Sequence, residues 1–320
     1  MAFFFSFDML KRFTILTIVA LYILIGIGGI VRASGAGMGC PDWPKCFGLW
    51  IPPTEVSQLP GNYKEVYSTR YHEVTDFNVV KTWTEYINRL IGVLIGFLVF
   101  ITAILSLKHY KSDKWVTICS VLSFILVAFQ GWLGAQVVFF NLKPFIVTLH
   151  MLLAIVIVLL LLVSYFRIDT GSNLTTVNIP QKNLNNLYFL IFLVNIQILL
   201  GTQVRQQVDI YSNYQTNSFV LEDIGWLFLV HRSYSAFLTF LLAYWFFKNK
   251  EYINMLGSLK NISYILLGSF LILIFAGIAL NYMDFPQWAQ PLHLTFGCVF
   301  VGLMILLALY LNKLKRNIKL

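Results

Sequence analysis

Apolar residues along this chain come in long unbroken blocks, unlike the alternating or every-third-residue patterns of soluble elements. Eight blocks stand out, at roughly 13–32, 86–107, 115–139, 145–166, 187–205, 224–247, 262–282 and 289–311. Each matches the about 20 residues that a helix needs to cross a bilayer. Polar residues gather between the blocks, in a long segment at 33–82 and in "IDTGSNLTTVNIPQKNLNN" at 168–186. The pattern predicts an all-α integral membrane protein with eight transmembrane helices. Lipid offers the backbone no hydrogen-bond partner, so helices that satisfy their own peptide groups are the expected solution. The opening "MAFFFSFDMLKRFT" carries no small-residue cleavage site before the first block, which is therefore expected to be retained.

Composition narrows the class further. Of 320 residues, 58% are hydrophobic and 12% charged, with a mean hydropathy of +0.74; a soluble domain carries about a quarter charged residues. The net charge of +9 is explained by where the charges lie. Lys11 and Arg12 precede the first block, and Lys108, Lys111 and Lys114 join the second to the third. Arg167 and Lys182 flank the fourth connection, Lys248, Lys250 and Lys260 the sixth, and Lys313, Lys315, Arg316 and Lys319 close the chain. The alternate connections hold the acids: Asp42, Glu55, Glu65, Glu73 and Asp76, then Asp209, Glu222, Asp223 and Asp284. By the positive-inside rule both termini are expected in the cytoplasm and the 33–82 segment outside. The basic balance describes topology, and no nucleic-acid partner is expected. A bacterial cytoplasmic (inner) membrane is the expected location.

The segment "GCPDWPKCFG", residues 39–48, sets Cys40 and Cys46 around Pro41, Trp43 and Pro44 just beyond the first block. On the outer face such a pair is free to oxidise and close a small ring. Two readings stay open, a structural clip and a thiol pair that cycles during turnover; the second requires a lowered thiolate pKa that the sequence does not show. Two cysteines without neighbouring ligands fall short of a tetrahedral zinc site. Cys119 and Cys298 lie within apolar blocks and are expected to be small inert hydrophobes.

The blocks also repeat in two groups of four. "VHRSYSAF" opens the sixth and "PLHLTFG" the eighth, placing His231 and His293 62 residues apart. "TLHMLLA" opens the fourth with His150, and 62 residues earlier stands Asn88 in "EYINRLIG". Arg89 follows Asn88 as Arg232 follows His231, and Gly134 in "WLGAQV" corresponds to Gly277 in "FAGIAL" at the same shift of 143. "GIGGIVR", with Arg32, is similar to "LLGTQVR", with Arg205. Such internal repeats are common in membrane proteins. The expected organisation is an N-terminal four-helix half over 1–167, containing the 33–82 loop, a cytoplasmic linker over 168–186, and a C-terminal four-helix half over 187–320.

Each even block starts from the outer face, which puts His150, His231 and His293 about one turn below it at ~1.5 Å per residue. An ionisable side chain at that depth is costly and marks a site. A lone intramembrane histidine is as readily a hydrogen-bonded core residue, but three at a repeated position point to ligands. His72 and His109 sit in connections and are expected to be solvated. Four-helix cores commonly hold cofactors, and imidazole is a common axial ligand of haem iron. A di-iron centre would need inward carboxylates, and no Asp or Glu accompanies His231 or His293 in their blocks. Arg32, Arg89, Arg205 and Arg232 are candidates to pair with haem propionates as charge-assisted donors, with interfacial snorkelling as the plain alternative.

Taken together, "GGIVRASGAGMGCPDWPKCFG", "TEYINRLIG", "TLHMLLA", "VHRSYSAF" and "PLHLTFG" resemble the heme A synthase family, over essentially residues 12–312. The resemblance implies two four-helix halves. In the C-terminal half heme b would be held between His231 and His293. In the N-terminal half the substrate heme o would bind, and its ring methyl would be oxidised in successive steps to the formyl group of heme A. Glu85 matches the family's catalytic carboxylate, and Cys40 with Cys46 match its outer-loop cysteine pair. The chain departs from the pattern in two places. Asn88 stands where the family carries a histidine, leaving His150 as the clear imidazole for the heme o iron, and "QQVDIYSNYQTNSF" lacks the second cysteine pair of some members. Asn88 is expected to face the distal position of the first haem, with Met151 or His72 as alternative ligands. An open first site suits oxidation chemistry, and a doubly ligated second site suits electron transfer. The loop is expected to act as a lid that orders Glu85 above the reactive methyl.

Two rivals differ in kind. A non-catalytic di-haem membrane cytochrome b passing electrons would favour four strong ligands, which Asn88 argues against. A transporter with inverted repeats would need an odd number of spans per repeat and sites near the midplane. Besides heme o, heme A and the lipid bilayer, the resemblance points to the heme o-forming enzyme and terminal oxidase assembly factors as partners; an oligomer is compatible with the sequence.

Overall fold

A computed structural model describes residues 2–68, 76–140, 142–169, 179–214, 225–255, 257–283 and 285–316. Its elements are α1 (Ala2–Ala33), the short α2 (Tyr63–Ser68), α3 (Val79–Leu107), α4 (Lys114–Phe139), α5 (Pro144–Asp169), α6 (Gln181–Tyr214), α7 (Trp226–Asn254), α8 (Gly257–Tyr282) and α9 (Ala289–Arg316). Among the described residues eight helices are long and apolar enough to span a membrane, all of these but α2. The protein is an all-α multi-pass membrane protein, and no strand forms among the described residues.

Several helix ends lie beyond the apolar blocks. The helix α3 begins at Val79, where the Asn78 side chain accepts from the Lys81 amide at 3.1 Å. An N-cap of this kind satisfies an amide that the first turn leaves without an intrahelical partner. Thr82 and Glu85, which precede the apolar block, therefore ride on the same helix as Arg89. The helix α6 begins at Gln181, so the C-terminal end of the 168–186 segment is helical; residues 170–178 lie outside the described residues.

The chain divides into two compact units, residues 1–168 with 290–295, and residues 169–289 with 296–320. In the first, polar pairs join neighbouring helices. Thr17 on α1 shares a hydrogen bond of 2.9 Å with Thr102 on α3, and Ser120 on α4 one of 3.0 Å with Ser164 on α5, all four hydroxyls being buried. Asp113 caps the Trp115 amide with one oxygen and holds Arg167 at 2.7 Å with the other, tying the start of α4 to the end of α5. His109, expected to be solvated, is instead buried, with 1% of its surface exposed. The turn after α3 curls inward: the His109 amide donates to the Ser106 carbonyl, and its own carbonyl accepts from Ser112 and Asp113.

In the second unit the core is built around α9, whose Val301, Met304, Leu307 and Leu314 are fully buried. Trp245 donates to the Asn183 carbonyl at 3.1 Å and Tyr234 to the Leu193 carbonyl at 3.2 Å, linking α7 to α6. Phe240, Phe247, Leu271 and Phe275 on α7 and α8 remain exposed, as suits apolar faces turned to lipid. Cys119 and Cys298 are buried free thiols, in keeping with an inert packing role.

Candidate functional site

The loop after α1 folds onto the first two turns of α3, and its geometry follows from one close approach. A Cβ on Gly39 would lie 2.3 Å from the Lys81 carbonyl oxygen, so only glycine lets the loop touch the α3 backbone there. Thr82 then donates to the Gly39 carbonyl at 2.9 Å. One residue on, Cys40 is joined to Cys46 by a disulfide, and both cysteines are fully buried. Inside this ring Asp42 accepts from the Phe47 amide at 2.6 Å and the Gly48 amide at 2.8 Å. Phe47 turns into an aromatic cluster, with the rings of Tyr63, Tyr67 and Phe77 edge-on at 5.3–6.3 Å. Tyr86 and Trp83, from α3, reach the Trp50 and Pro53 carbonyls at 2.6 and 3.3 Å.

Glu85 and Arg89 form the node of this assembly. Glu85 is buried; one carboxylate oxygen accepts from the Cys40 amide at 3.1 Å, and the other takes both the Nε and an Nη of Arg89, at 3.2 and 2.5 Å. Arg89 spends its remaining donors on loop carbonyls: Asp42 at 2.7 Å, Lys45 at 3.1 Å and Cys40 at 3.1 Å. A buried carboxylate is tolerable only when paired and hydrogen-bonded, and this one is both. The catalytic candidate is thus hydrogen-bonded to the backbone of a disulfide cysteine. A propionate reaching Arg89 would have to displace one of these bonds. Asn88 lies one turn from Glu85 on α3, and its side-chain oxygen is buried with no hydrogen-bond partner.

The histidines come next. His150 lies in the second turn of α5, its ring facing α4: a Cβ on Gly134 would stand 3.4 Å from the ring Cε1. One turn earlier on α4, Gln130 donates to the His150 carbonyl at 2.8 Å. The Nδ1 of His150 and the Oε1 of Gln130 are both buried without a hydrogen-bond partner. The same arrangement recurs in the second unit. A Cβ on Gly201 of α6 would stand 3.1 Å from Cε1 of His231 on α7, and Gln197, one turn before Gly201, donates to the His231 carbonyl at 3.0 Å. His293 lies in the second turn of α9.

Of the other arginines, Arg32 closes the last turn of α1, and Arg205 pairs with Asp209 at 2.7 Å while lying 5.9 Å from the Phe285 ring centroid. Arg232 sits 5.8 Å from the ring centroid of Phe228. Met151 follows His150 on α5, and His72 lies outside the described residues. The roles of Gln130, Gln197 and Asp42 are absent from the sequence reading. A signal existed for the first two, since an amide inside an apolar span is costly and needs a purpose, but glutamine is easily taken for a polar interruption.

A family model described as cytochrome oxidase assembly protein matches residues 11–305. The chain belongs to this family. Curated members similar to it include the heme A synthase of Wolbachia sp. subsp. Brugia malayi, 25% identical over 92% of this chain and 94% of that protein. The heme A synthase of Shewanella oneidensis is 33% identical over 58% of this chain, and that of Geobacillus kaustophilus 28% over 59%. In those two the match spans about half of the relative's own length, 54% and 53%. For a cytochrome oxidase assembly protein with relatives so named, haem is the implied group. The first unit fits one: His150 presents an unsatisfied buried imidazole nitrogen, Gly134 places no side chain of its own against the ring, and no group of three or more His, Cys, Asp or Glu among the described residues competes as a metal cluster.

Proposed function

We propose that the chain is a heme A synthase, an oxidoreductase that converts the ring methyl of heme o to the formyl group of heme A. The observation that carries this reading is Glu85, buried beside Asn88 and bonded to the backbone of the disulfide ring, in the unit that also presents His150. A bound haem would supply the iron and the methyl group to be oxidised. His150 would hold that group from α5, where Gly134 places no side chain against the Cε1 edge of its ring. Asn88 offers an uncommitted amide oxygen. Glu85 contributes negative charge at a fixed place, and a preorganised charge of this kind acts where positive charge develops in a transition state. Arg89 and the Cys40 amide keep the carboxylate from rotating away, and the loop they hold excludes water from that end of α3. His231 and His293 are the proposed ligands of a resident heme b, on the strength of the repeat and the family resemblance. The loop lies on the outer face of a bacterial inner membrane with both termini inside, as the lysine and arginine distribution implies. Heme o arrives from the enzyme that forms it, and heme A leaves for terminal oxidase assembly.

The test is Glu85→Gln in the full chain, purified in detergent, with haem extracted and separated by chromatography. Haem content is expected to stay at the wild-type level while heme A formation falls by orders of magnitude. Wild-type conversion by this variant removes the carboxylate from the reaction, and wild-type protein that carries no haem overturns the reading as a whole.

A further inference from the structure

The tip of the disulfide-clasped turn carries an apolar surface that packing within the chain leaves uncovered. Trp43, Leu49, Trp50 and Ile51 are 52%, 41%, 67% and 72% exposed, while Cys46, Phe47, Pro52 and Pro53 in the same stretch are buried. The backbone beneath them is held: Cys46 and Leu49 exchange amide-to-carbonyl bonds of 2.9 and 3.1 Å across the turn. A fixed frame therefore presents these side chains outward. Lys45 sets its ammonium beside them, 5.6 Å from the centroid of the Trp50 ring. Two contacts with α3 determine where the tip stands. The Trp50 carbonyl accepts from the Tyr86 hydroxyl at 2.6 Å, and the Lys45 carbonyl accepts from Arg89 at 3.1 Å. Tyr86 opens the apolar block 86–107, and Arg89 lies three residues inside it. At the same level α3 exposes Ile87 and Leu90, side chains of the kind that lipid covers. The tip thus stands beside the N-terminal end of a bilayer-crossing helix, where hydrocarbon gives way to headgroups.

We propose that Trp43, Leu49, Trp50 and Ile51 insert into the headgroup–acyl boundary of the bilayer at the N-terminal end of α3, with Lys45 reaching the lipid phosphates. Tryptophan and lysine suit this boundary because each pairs an apolar body with a polar end that stays wet. The depth set by Tyr86 and Arg89 favours lipid over a soluble partner, which would stand beyond the headgroups. The frame that carries the tip also holds the buried carboxylate, through the Cys40 amide and the three carbonyls given to Arg89. The bilayer then supports that loop from the side opposite α3, in addition to the disulfide. The inference depends on the membrane-spanning fold and is independent of haem binding.

The experiment places the full chain in phospholipid nanodiscs, with a nitroxide spin label on Ile51→Cys. Phe97→Cys, at an exposed position in the middle of α3, is the lipid reference, and Ser57→Cys, at an exposed polar position of the loop, is the aqueous one. Accessibility to oxygen, which concentrates in hydrocarbon, is measured against accessibility to a water-soluble nickel chelate. The oxygen-to-nickel ratio at position 51 should lie severalfold above that at 57 and approach that at 97. A ratio equal to that at 57 puts the tip in water and overturns the proposal. A label that neither reagent reaches is covered by protein, a second copy or another chain, and overturns it equally. Where the new cysteine disturbs the disulfide, a measurement without labels decides. Nanodiscs of lipids brominated near the headgroup should quench a fluorescence component of the wild-type chain that is missing from Trp50→Phe. Equal quenched intensity in the two proteins refutes insertion of Trp50.

Discussion

Replacing Arg89 by methionine tests whether the loop and the buried carboxylate are one unit. The change deletes five hydrogen bonds of 2.5–3.2 Å, two to Glu85 and three to the carbonyls of Cys40, Asp42 and Lys45. The side chains of Glu85 and Arg89 are only 5% and 13% exposed, so solvent does little to screen the loss. Removing one partner of a buried pair costs about 3–5 kcal/mol because the other charge is left uncompensated. Glu85→Gln alone keeps an acceptor for the Cys40 amide and should cost about 1.5–3 kcal/mol, the range for a hydrogen bond to a charged group. The double variant carries no orphaned carboxylate. Its cost should fall short of the sum of the single changes by about 1–3 kcal/mol, as expected for residues in one network. The assay is unfolding of the purified chain in detergent micelles, alongside the cleavage half-life of the 39–50 loop under non-reducing conditions. Additive costs, or an Arg89→Met variant within about 0.5 kcal/mol of wild type, would refute the argument that Arg89 clamps the loop.

Three further outcomes are expected. Cys40→Ser should cost about 2 kcal/mol by the loop-closure estimate for so short a ring; because both cysteines are fully buried, the wild-type disulfide should resist a water-soluble reductant in folded protein, as thiol labelling after mild reduction will show. Rapid reduction without unfolding would favour the thiol-cycling alternative. Gly39→Ala should be among the most damaging single-methyl changes, since its Cβ would collide with the α3 backbone at 2.3 Å; a thermal midpoint equal to wild type would contradict the close approach. His150→Ala should lose the first-unit haem while Asn88→Ala retains it with altered turnover, as read by haem extraction and product chromatography; equal haem loss in both variants would mean that Asn88 is a ligand.

The eight spans were legible because an apolar run of bilayer length has few other meanings. Their ends were not. Glu85 falls just before the apolar block that begins at 86, yet it is helical, since Arg89 and the Cys40 amide supply the partners that lipid would deny it. The cysteine pair was visible from spacing. That Asp42, inside the ring, binds two amides just beyond it, and that Arg89 reaches carbonyls more than forty residues earlier, leaves no periodic trace in sequence. His109 was misjudged because its position between two spans says nothing of the inward turn that buries it. The histidines on α5 and α7 stood out as rare ionisable residues in apolar blocks, whereas their glutamine neighbours stood out only once the helices were seen side by side.

Helices in lipid respond to a change in bilayer thickness by tilting or kinking, each at a modest cost, and packed helices can also shear past one another. The α4–α5 hairpin has lost the last of these options. Ser120 and Ser164 pin it near one end, and the bond from Gln130 to the His150 carbonyl pins it near the other. A pair tied at two levels can tilt only as a plate, so the spacing between Gly134 and the His150 ring is insulated from the acyl-chain length around it. Membranes of different thickness, or at different temperatures, would carry the plate at different angles while leaving its internal geometry unchanged.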